Sequence, residues 1–305
     1  MPLRWSVPHH DSELIRSIEK SCNVSPVVAQ ILAVRGITHP AEVHSFFDLR
    51  MTGLRPPAEL PGVAEAVNCL DRAISDQKKI VVYGDYDCDG MTATSIMYLC
   101  IRMLGGQVSY FVPNRLDDGY GVNRQALETL KQRGADVIVT VDCGINSVED
   151  AQVARSLGLE LIVTDHHIPG GSLPEATAIV HPALPGTSYP FPDLCGAGVA
   201  FKLAWALCQQ RHGSEKLPEP MRNYLFSAIG LAAIGTIADV VPLLDENRIL
   251  VTHGLNLIPR FGNPGLRHLM ALCGLSEKPR LDAEDIAFLL GPRLNAAGRL
   301  GQAQL

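Results

Sequence analysis

The 8 cysteines of this 305-residue chain include no C-x-x-C pair, and no two lie closer than 12 positions. That scatter excludes the usual zinc spacings and reads as reduced, mostly buried thiols of a cytosolic protein. Basic residues are not in excess either. Lys and Arg number 26 against 32 Asp and Glu, giving a net charge of -6 and a pI near 5.9. This excludes a protein that grips nucleic acid by bulk electrostatics. A polyanionic substrate would have to be held locally, by metals and a few arginines. Charged residues make up only 19% and hydrophobic ones 47%, so the composition is not that of a disordered chain and suffices for a sizeable core. Met1–His10 has no apolar core region, so no signal peptide is expected. The longest uncharged helical candidate, Asn223–Ala238, carries Asn, Ser, Thr and Gly and falls short of the roughly 20 residues a membrane span needs. It is expected to be a core helix of a cytoplasmic protein that does not associate with membranes.

What stands out is the stretch Lys79-Ile80-Val81-Val82-Tyr83-Gly84-Asp85-Tyr86-Asp87-Cys88-Asp89-Gly90-Met91. A short β-branched run reads as a buried strand, and residues 91–104 read as a helix. Between them sit three aspartates at alternate positions. Carboxylates so close repel one another unless a cation lies among them, and a divalent metal held by hard oxygen ligands is the economical solution. Asp-x-Asp-x-Asp-Gly also opens an EF-hand calcium loop, but position twelve of such a loop would be Ile96 where a bidentate Glu is required, and the motif follows a strand rather than a helix.

The stretch sits in a recognisable frame. Residues 1–62 read as a helical preface, with one helix over Leu14, Ile15 and Ile18 and another, started by Ser25-Pro26, carrying Val27, Val28, Ile31 and Leu32 on one side. From Val63, the start of a domain read as 63–245, strand and helix alternate: strands near 80–83, 107–112, 136–141, 160–164 and 177–180, helices near 63–77, 91–104, 123–133 and 147–157. Such alternation predicts an α/β fold, a doubly wound parallel sheet covered on both faces. Beyond about Gly186 the chain becomes mainly helical (196–211, 220–238, 246–258, 264–273 and 282–290), with 246–305 read as a helical extension leading toward a second domain.

Ligands of such sheets bind beyond the carboxyl ends of the strands, and polar residues cluster there. Strand 107–112 leads to Arg115 and then Gly119-Tyr120-Gly121; strand 136–141 ends in Asp142-Cys143-Gly144; strand 160–164 ends in Asp165-His166-His167. The apolar helix up to Ala238 ends in a single acid, Asp239. A carboxylate there is disfavoured by the helix dipole and costly to bury unless paired. A metal resolves both problems; a salt bridge to a base such as Arg248 is the alternative. Asp85, Asp87, Asp89, Asp142, Asp165, His166, His167 and Asp239 together make a donor set for Mn²⁺ or Mg²⁺ rather than for a thiolate metal. There are too many acids for one cation. Two ions about 3.5–4 Å apart, with Asp142 as the natural bridge, would balance them and would suit in-line displacement at phosphorus. His166 is read as the ligand, and His167 as the group that donates a hydrogen bond or proton to a phosphoryl oxygen. Arg115 is a planar cation suited to a terminal phosphate.

Asp85-Tyr86-Asp87-Cys88-Asp89-Gly90, Asp142-Cys143-Gly144, Asp165-His166-His167 and Ala238-Asp239-Val240-Val241-Pro242 resemble, in order, the four motifs of the DHH phosphoesterase superfamily. Pro113-Asn114-Arg115 with Gly119-Tyr120-Gly121, Gly196-Ala197-Gly198-Val199-Ala200-Phe201-Lys202, Gly291-Pro292-Arg293-Leu294-Asn295-Ala296-Ala297-Gly298-Arg299-Leu300 and the preface around Leu32–Ile37 look like the RecJ family of bacterial single-strand-specific DNA exonucleases. The resemblance covers nearly the whole chain. It implies hydrolysis of single-stranded DNA from the 5′ end, in DNA repair and recombination, with two Mn²⁺ or Mg²⁺ ions per site. It implies metal ligands drawn from Asp85, Asp87, Asp89, Asp142, His166 and Asp239. It places His167 at the scissile phosphate, Arg115 at the 5′-terminal phosphate and Gly196–Lys202 as a glycine-rich helix start where N–H groups meet an anion. It sets Arg293, Asn295 and Arg299 along the DNA path, and it implies single-strand-binding protein and helicase as partners.

The chain departs from that pattern at Tyr83, where many relatives carry a histidine. It also stops soon after the arginine motif, where relatives continue into further domains, so this chain is expected to be a catalytic core only. Two rival readings remain. One is a DHH phosphodiesterase of short oligoribonucleotides or cyclic dinucleotides. Such relatives usually lack the preface and the Gly291–Leu300 motif. The other is a non-catalytic DHH scaffold, which the presence of every acid and both histidines disfavours.

Overall fold

The computed structural model describes residues 11–113, 121–260 and 263–299. The chain divides into two units, Met1–Gly53 and Leu54–Leu305. In the first, α1 (Ser12–Cys22), α2 (Pro26–Val34) and α3 (Pro40–Phe47) pack around Ile15, Ile18, Ala29, Leu32 and Val43. Asp11 caps α1, accepting from the N–H groups of Glu13 and Leu14, and Ser25 caps α2 with Pro26 at its first position. The side of α2 differs from the sequence reading. Ala29 and Leu32 turn inward, while Val27 and Ile31 are 67% and 48% exposed. Nearly every residue of α2 is apolar, so periodicity alone selects no face.

The second unit carries the alternation. In order come α4 (Val63–Ser75), β1 (Lys79–Gly84), α5 (Cys88–Met103), β2 (Gln107–Phe111), α6 (Arg124–Gln132), β3 (Val137–Val141), α7 (Val148–Ser156), β4 (Glu160–Thr164) and β5 (Ala178–Val180). The strands form one five-stranded parallel sheet in the order β2-β1-β3-β4-β5. Alternate residues Val81, Tyr83, Ile138, Leu161 and Val163 point into a core shared with α6 and α7. The residues between them, among them Ile80, Val82, Val139 and Ile162, face the opposite side. There lie α4, α5 and α8 (Gly196–His212). Burial on both faces explains why the strands read as β-branched runs rather than alternating patterns. The chain steps from β1 outward to β2, then returns to the other side of β1 at β3. The carboxyl ends of β1 and β3 therefore flank the switch point where doubly wound sheets bind ligands.

Behind α5 and α8 lies α9 (Glu219–Ala238), with α10 (Asp245–Leu257) packed on its far side. Enclosure on several sides explains the apolar character of α9 all round. It is a core helix, and among the described residues no helix is long and apolar enough to cross a membrane. After α11 (Pro264–Leu272), where the sequence predicts a helix over 282–290, Asp285–Leu290 is wound as a π-helix that runs on into α12 (Gly291–Arg299).

A buried polar cluster ties α8 to α10. The Lys202 ammonium, fully buried, donates to the Arg55 carbonyl at 2.6 Å and to Glu246. Glu246 also accepts from the Arg55 N–H at 2.9 Å and from the Tyr189 hydroxyl, while the Arg55 guanidinium forks onto Asp245 at 2.7 and 2.8 Å. Removing one member of a buried pair strands the other's charge. Lys202→Met is expected to cost about 3–5 kcal/mol, read as a large drop in melting temperature. The double variant Lys202→Met/Glu246→Gln should recover part of that loss. A single variant that melts like the parent would remove this cluster as a determinant of the fold.

Candidate metal centre

Each acidic residue is placed by its own local device. Asp85 follows β1 directly. Asp87 caps α5, its carboxylate accepting from the Gly90 N–H at 2.9 Å. The helix begins at Cys88, three residues earlier than its apolar spacing predicts, so Asp89 lies in the first turn, where the helix dipole favours an acid. The Asp89 oxygens accept from the backbone N–H groups of Gly196 and Ala197 at 2.7 and 2.9 Å. The anion met by the glycine-rich start of α8 is thus an internal carboxylate. Asp142 adopts a left-handed φ of +62°, uncommon for a residue with a side chain. Its turn is held by its own N–H on the Thr164 carbonyl at 3.0 Å and by the Thr140 hydroxyl on the Cys143 carbonyl at 2.8 Å. Close approach demands glycine twice: a Cβ at Gly196 would lie 2.5 Å from Asp142 Oδ1, and one at Gly235 would lie 2.4 Å from Asp89 Oδ1.

These devices bring the carboxylates and imidazoles of three strand ends and one helix end together. His166 Nε2 faces Asp142 Oδ1 at 3.1 Å, Asp239 Oδ2 at 3.6 Å and Asp89 Oδ2 at 3.8 Å. It hydrogen-bonds to none of them, and both His166 Nε2 and Asp142 Oδ1 are buried without a hydrogen-bond partner. Three overlapping sets each bring one donor atom per residue within 4.8 Å: Asp89, His166 and Asp239; Asp85, Asp87 and Asp142; and Asp142, His166 and His167. Asp142 is common to the last two. An orphaned buried nitrogen facing carboxylate oxygens is the arrangement a cation would complete, and oxygen-rich donors with one or two imidazoles suit Mn²⁺ or Mg²⁺.

Electrostatics agree. Burial and Asp87 push Asp85 up to about 7. Burial, together with Asp239 and opposed by His166, pushes Asp89 up to about 6. Burial and Asp87 push Asp239 up to about 6, and burial, then its acidic neighbours, raise Asp142 well above its usual value. Each group strains toward the neutral form because burial disfavours its charge and like charges crowd it. Asp165 is the exception. Burial favours its neutral form, but the His167 ring and backbone N–H groups more than offset this and hold it below its usual value. Its Oδ1 lies 2.7 Å from His167 Nδ1 and accepts from the N–H groups of His166 and His167, while Oδ2 takes the Ile145 N–H at 2.9 Å. Asp165 therefore orients the two histidines. Its hydrogen bond raises His167 to about 8.

Of the other residues singled out from sequence, Arg115, Gly119 and Tyr120 lie outside the described residues, as does the Arg299 side chain. The Gly198 N–H is turned onto the Cys195 sulfur that caps α8, at 3.4 Å. Arg293 is exposed, its Nη1 donating to the Leu289 carbonyl at 2.8 Å. Asn295 Oδ1 accepts the Cys88 N–H at 2.7 Å, which fastens α12 beside the start of α5. The Tyr83 hydroxyl is engaged away from the acids, 3.0 Å from the Gly121 carbonyl and 3.3 Å from Asn123 Nδ2. Two contributors escape the sequence reading. Gly235 looks like one small residue in an apolar helix, and nothing local marks it. His181 directly follows β5, a strand the sequence predicts near 177–180, and so obeys the same strand-end rule that finds the others.

Acids and imidazoles gathered at the switch point of a parallel sheet define this as an α/β protein with a candidate binuclear divalent-metal centre. The chain belongs to the DHH family, whose N-terminal domain model matches residues 79–231, from the first residue of β1 into α9. It is 43% identical over 301 residues to the single-stranded-DNA-specific exonuclease RecJ of Bacillus subtilis (strain 168), covering 99% of this chain and 36% of that protein. It is 40% identical over 295 residues to RecJ of Escherichia coli (strain K12), covering 94% of this chain and 50% of that one. Its fold is similar to the crystal structure of RecJ in complex with Mn²⁺ from Thermus thermophilus, with a TM-score of 0.76 and 36% identity over 98% of this chain and 41% of that one. The chain thus spans about a third to a half of the length of these relatives.

If the glycine at 235 exists to admit Asp89, then Gly235→Ala should weaken manganese binding by about 10–100-fold in titration calorimetry. His166→Ala should weaken it at least as much. Binding by either variant at parental affinity would show that these atoms do not hold the ion.

Proposed function

We propose that this chain is the catalytic core of a metal-dependent exonuclease that hydrolyses single-stranded DNA from the 5′ end. The observation that carries the reading is His166 Nε2, buried and unbonded, facing three carboxylates at the switch point. The similarity to RecJ exonucleases over nearly the whole chain supports the choice of substrate. Asp85, Asp87, Asp89, Asp142, His166 and Asp239 would hold two Mn²⁺ or Mg²⁺ ions. When bound, such a pair neutralises the rim and supports in-line displacement at phosphorus.

The protein's own part is positioning and proton handling. Asp165 fixes the His167 ring through Nδ1, and the raised proton affinity of the ring suits it to donate from its other nitrogen toward a phosphoryl or leaving-group oxygen. The ring is 41% exposed, so a substrate has access to it. Arg115 is assigned to the 5′-terminal phosphate, and Gly119 and Tyr120 to substrate binding. Arg293, Asn295 and Arg299 are assigned to the DNA path. Of the two glycines assigned to substrate binding at the start of α8, Gly196 serves the centre through its N–H on Asp89, while the N–H of Gly198 is taken by Cys195. In this reading residues 63–245 form the catalytic domain, 1–62 a helical appendage and 246–305 a connector. The setting is the cytoplasm, supported by eight cysteines with no disulfide among them.

The test compares 5′-phosphorylated single-stranded DNA, a dinucleotide and a cyclic dinucleotide as substrates, with Mn²⁺ and with chelator. Release of mononucleotides from the DNA, abolished by chelator and lowered about 10²–10⁴-fold in His167→Ala, is the expected result. With a net charge of -6 and little bulk attraction for a polyanion, cutting should be distributive rather than processive. Preference for the cyclic dinucleotide, or undiminished cutting by His167→Ala and Asp142→Ala, would overturn the proposal.

A further inference from the structure

His181 stands immediately after β5, which pairs with β4 so that Val180 lies opposite Thr164. The Asp165 N–H donates to the Val180 carbonyl at 3.1 Å, extending that pairing to the first residue of the Asp165-His166-His167 turn. The imidazole of His181 is fully buried. Its Nε2 lies 2.8 Å from the His167 carbonyl oxygen, and its Nδ1 lies 3.0 Å from the Ala183 backbone nitrogen. An amide N–H can only donate and a carbonyl can only accept. Nδ1 is therefore the acceptor and Nε2 carries the proton, a neutral tautomer in which both ring nitrogens are satisfied. Burial, which lowers the proton affinity of this ring, favours the same neutral form.

His167 is accordingly held at three points. Its N–H and its Nδ1 both meet Asp165 Oδ1, at 3.1 and 2.7 Å, and its carbonyl is held by His181. Asp165 reaches the ring and the N–H of His167 but not its carbonyl, and the next residue, Ile168, is 89% exposed, with its own carbonyl accepting from Asn146 Nδ2 at 3.2 Å. His181 is itself pinned, its N–H facing the Pro61 carbonyl ahead of α4. The tether thus runs from the body of the fold to the group that faces substrate.

We propose that His181 is a positioning residue for the proposed phosphodiester hydrolysis: its Nε2–H, donated to the His167 carbonyl, fixes where the His167 ring stands. The inference rests on the functional reading above for its consequence in catalysis, but the placement of His167 is measurable without any reaction.

Two substitutions separate the two halves of the ring. Glutamine places an amide nitrogen where Nε2 stands, and keeps the tether to His167. Asparagine places an oxygen where Nδ1 stands, and keeps only the Ala183 contact. In ¹⁵N-edited spectra of the folded protein, the His167 Nδ1–H resonance should persist in His181→Gln and broaden or shift in His181→Asn. A residue serving only the turn at Ala183 would give the reverse order. With Mn²⁺ and 5′-phosphorylated DNA, His181→Asn should lower kcat about tenfold or more with KM and manganese stoichiometry unchanged, and His181→Gln should restore most of it. An unchanged His167 resonance in folded His181→Asn, or a perturbed one in folded His181→Gln, overturns the inference whether or not the wild type cuts DNA. Absence of cutting by wild type with the expected spectra would fault the functional reading alone. Should the asparagine variant fail to fold, the glutamine variant decides through its own resonance.

Discussion

Mutual repulsion among carboxylates is the constraint that the rest of the molecule serves. Asp85, Asp87, Asp89, Asp142 and Asp239 crowd around two imidazoles at one rim, and four of the five are pushed toward protonation. Two unit charges 4 Å apart cost about 4 kcal/mol at an effective dielectric of 20. The ring that faces three of them is His166, whose proton affinity burial lowers, so it offers them little compensating charge. No folded chain assembles such a cluster by default. It persists because backbone donors, a left-handed turn and two side-chain-free positions hold each oxygen where a metal ion could meet it.

The scaffold explains how that strain is borne. The start of α8 gives two N–H groups to Asp89, so any drift of α8 along its axis would release a buried carboxylate. Further along, α8 is locked by Lys202 to Glu246 on α10 and to the segment at Arg55. The same helix thus carries a satisfied buried ion pair in its middle and an acid receptor at its start. α9 works in parallel: it is enclosed by α5, α8 and α10, its Gly235 makes room for Asp89, and its last carboxylate, Asp239, reaches His166. The polar cluster deep in the fold and the acidic cluster at its rim are two ends of one set of helices.

Much of this is legible in the sequence. The β-branched runs ending in Asp85, Asp142 and Asp165 declare both the sheet and its functional edge, because a strand buried on two faces has no other reason to run into an acid. Asp239 is legible because an apolar helix closing on a lone carboxylate is electrostatically wrong without a partner. What cannot be read is set by tertiary contact. That α5 starts at Cys88 depends on Asp87 turning to cap it. That Asp89 occupies the amides of α8 depends on a meeting 107 residues away. The inward face of α2 is illegible because an apolar helix has no contrast. Gly235 carries no local signal, being an absence of atoms, and His181 is marked only by its place after a three-residue strand.

The acidity of the rim also bears on the order of events in any reaction there. A phosphodiester is an anion, and the described surface around His166 is lined by carboxylates. Without cations such a rim would repel the proposed phosphodiester substrate; with them, the same carboxylates would become the framework that holds the charge. Substrate affinity is then linked to metal occupancy, because each ion that enters removes repulsion as well as adding attraction. This inverts the usual logic of a nucleic-acid-binding surface, in which fixed lysines and arginines provide the field. In a chain of net charge -6, attraction for the proposed DNA substrate would be concentrated at one rim and conditional on what that rim contains.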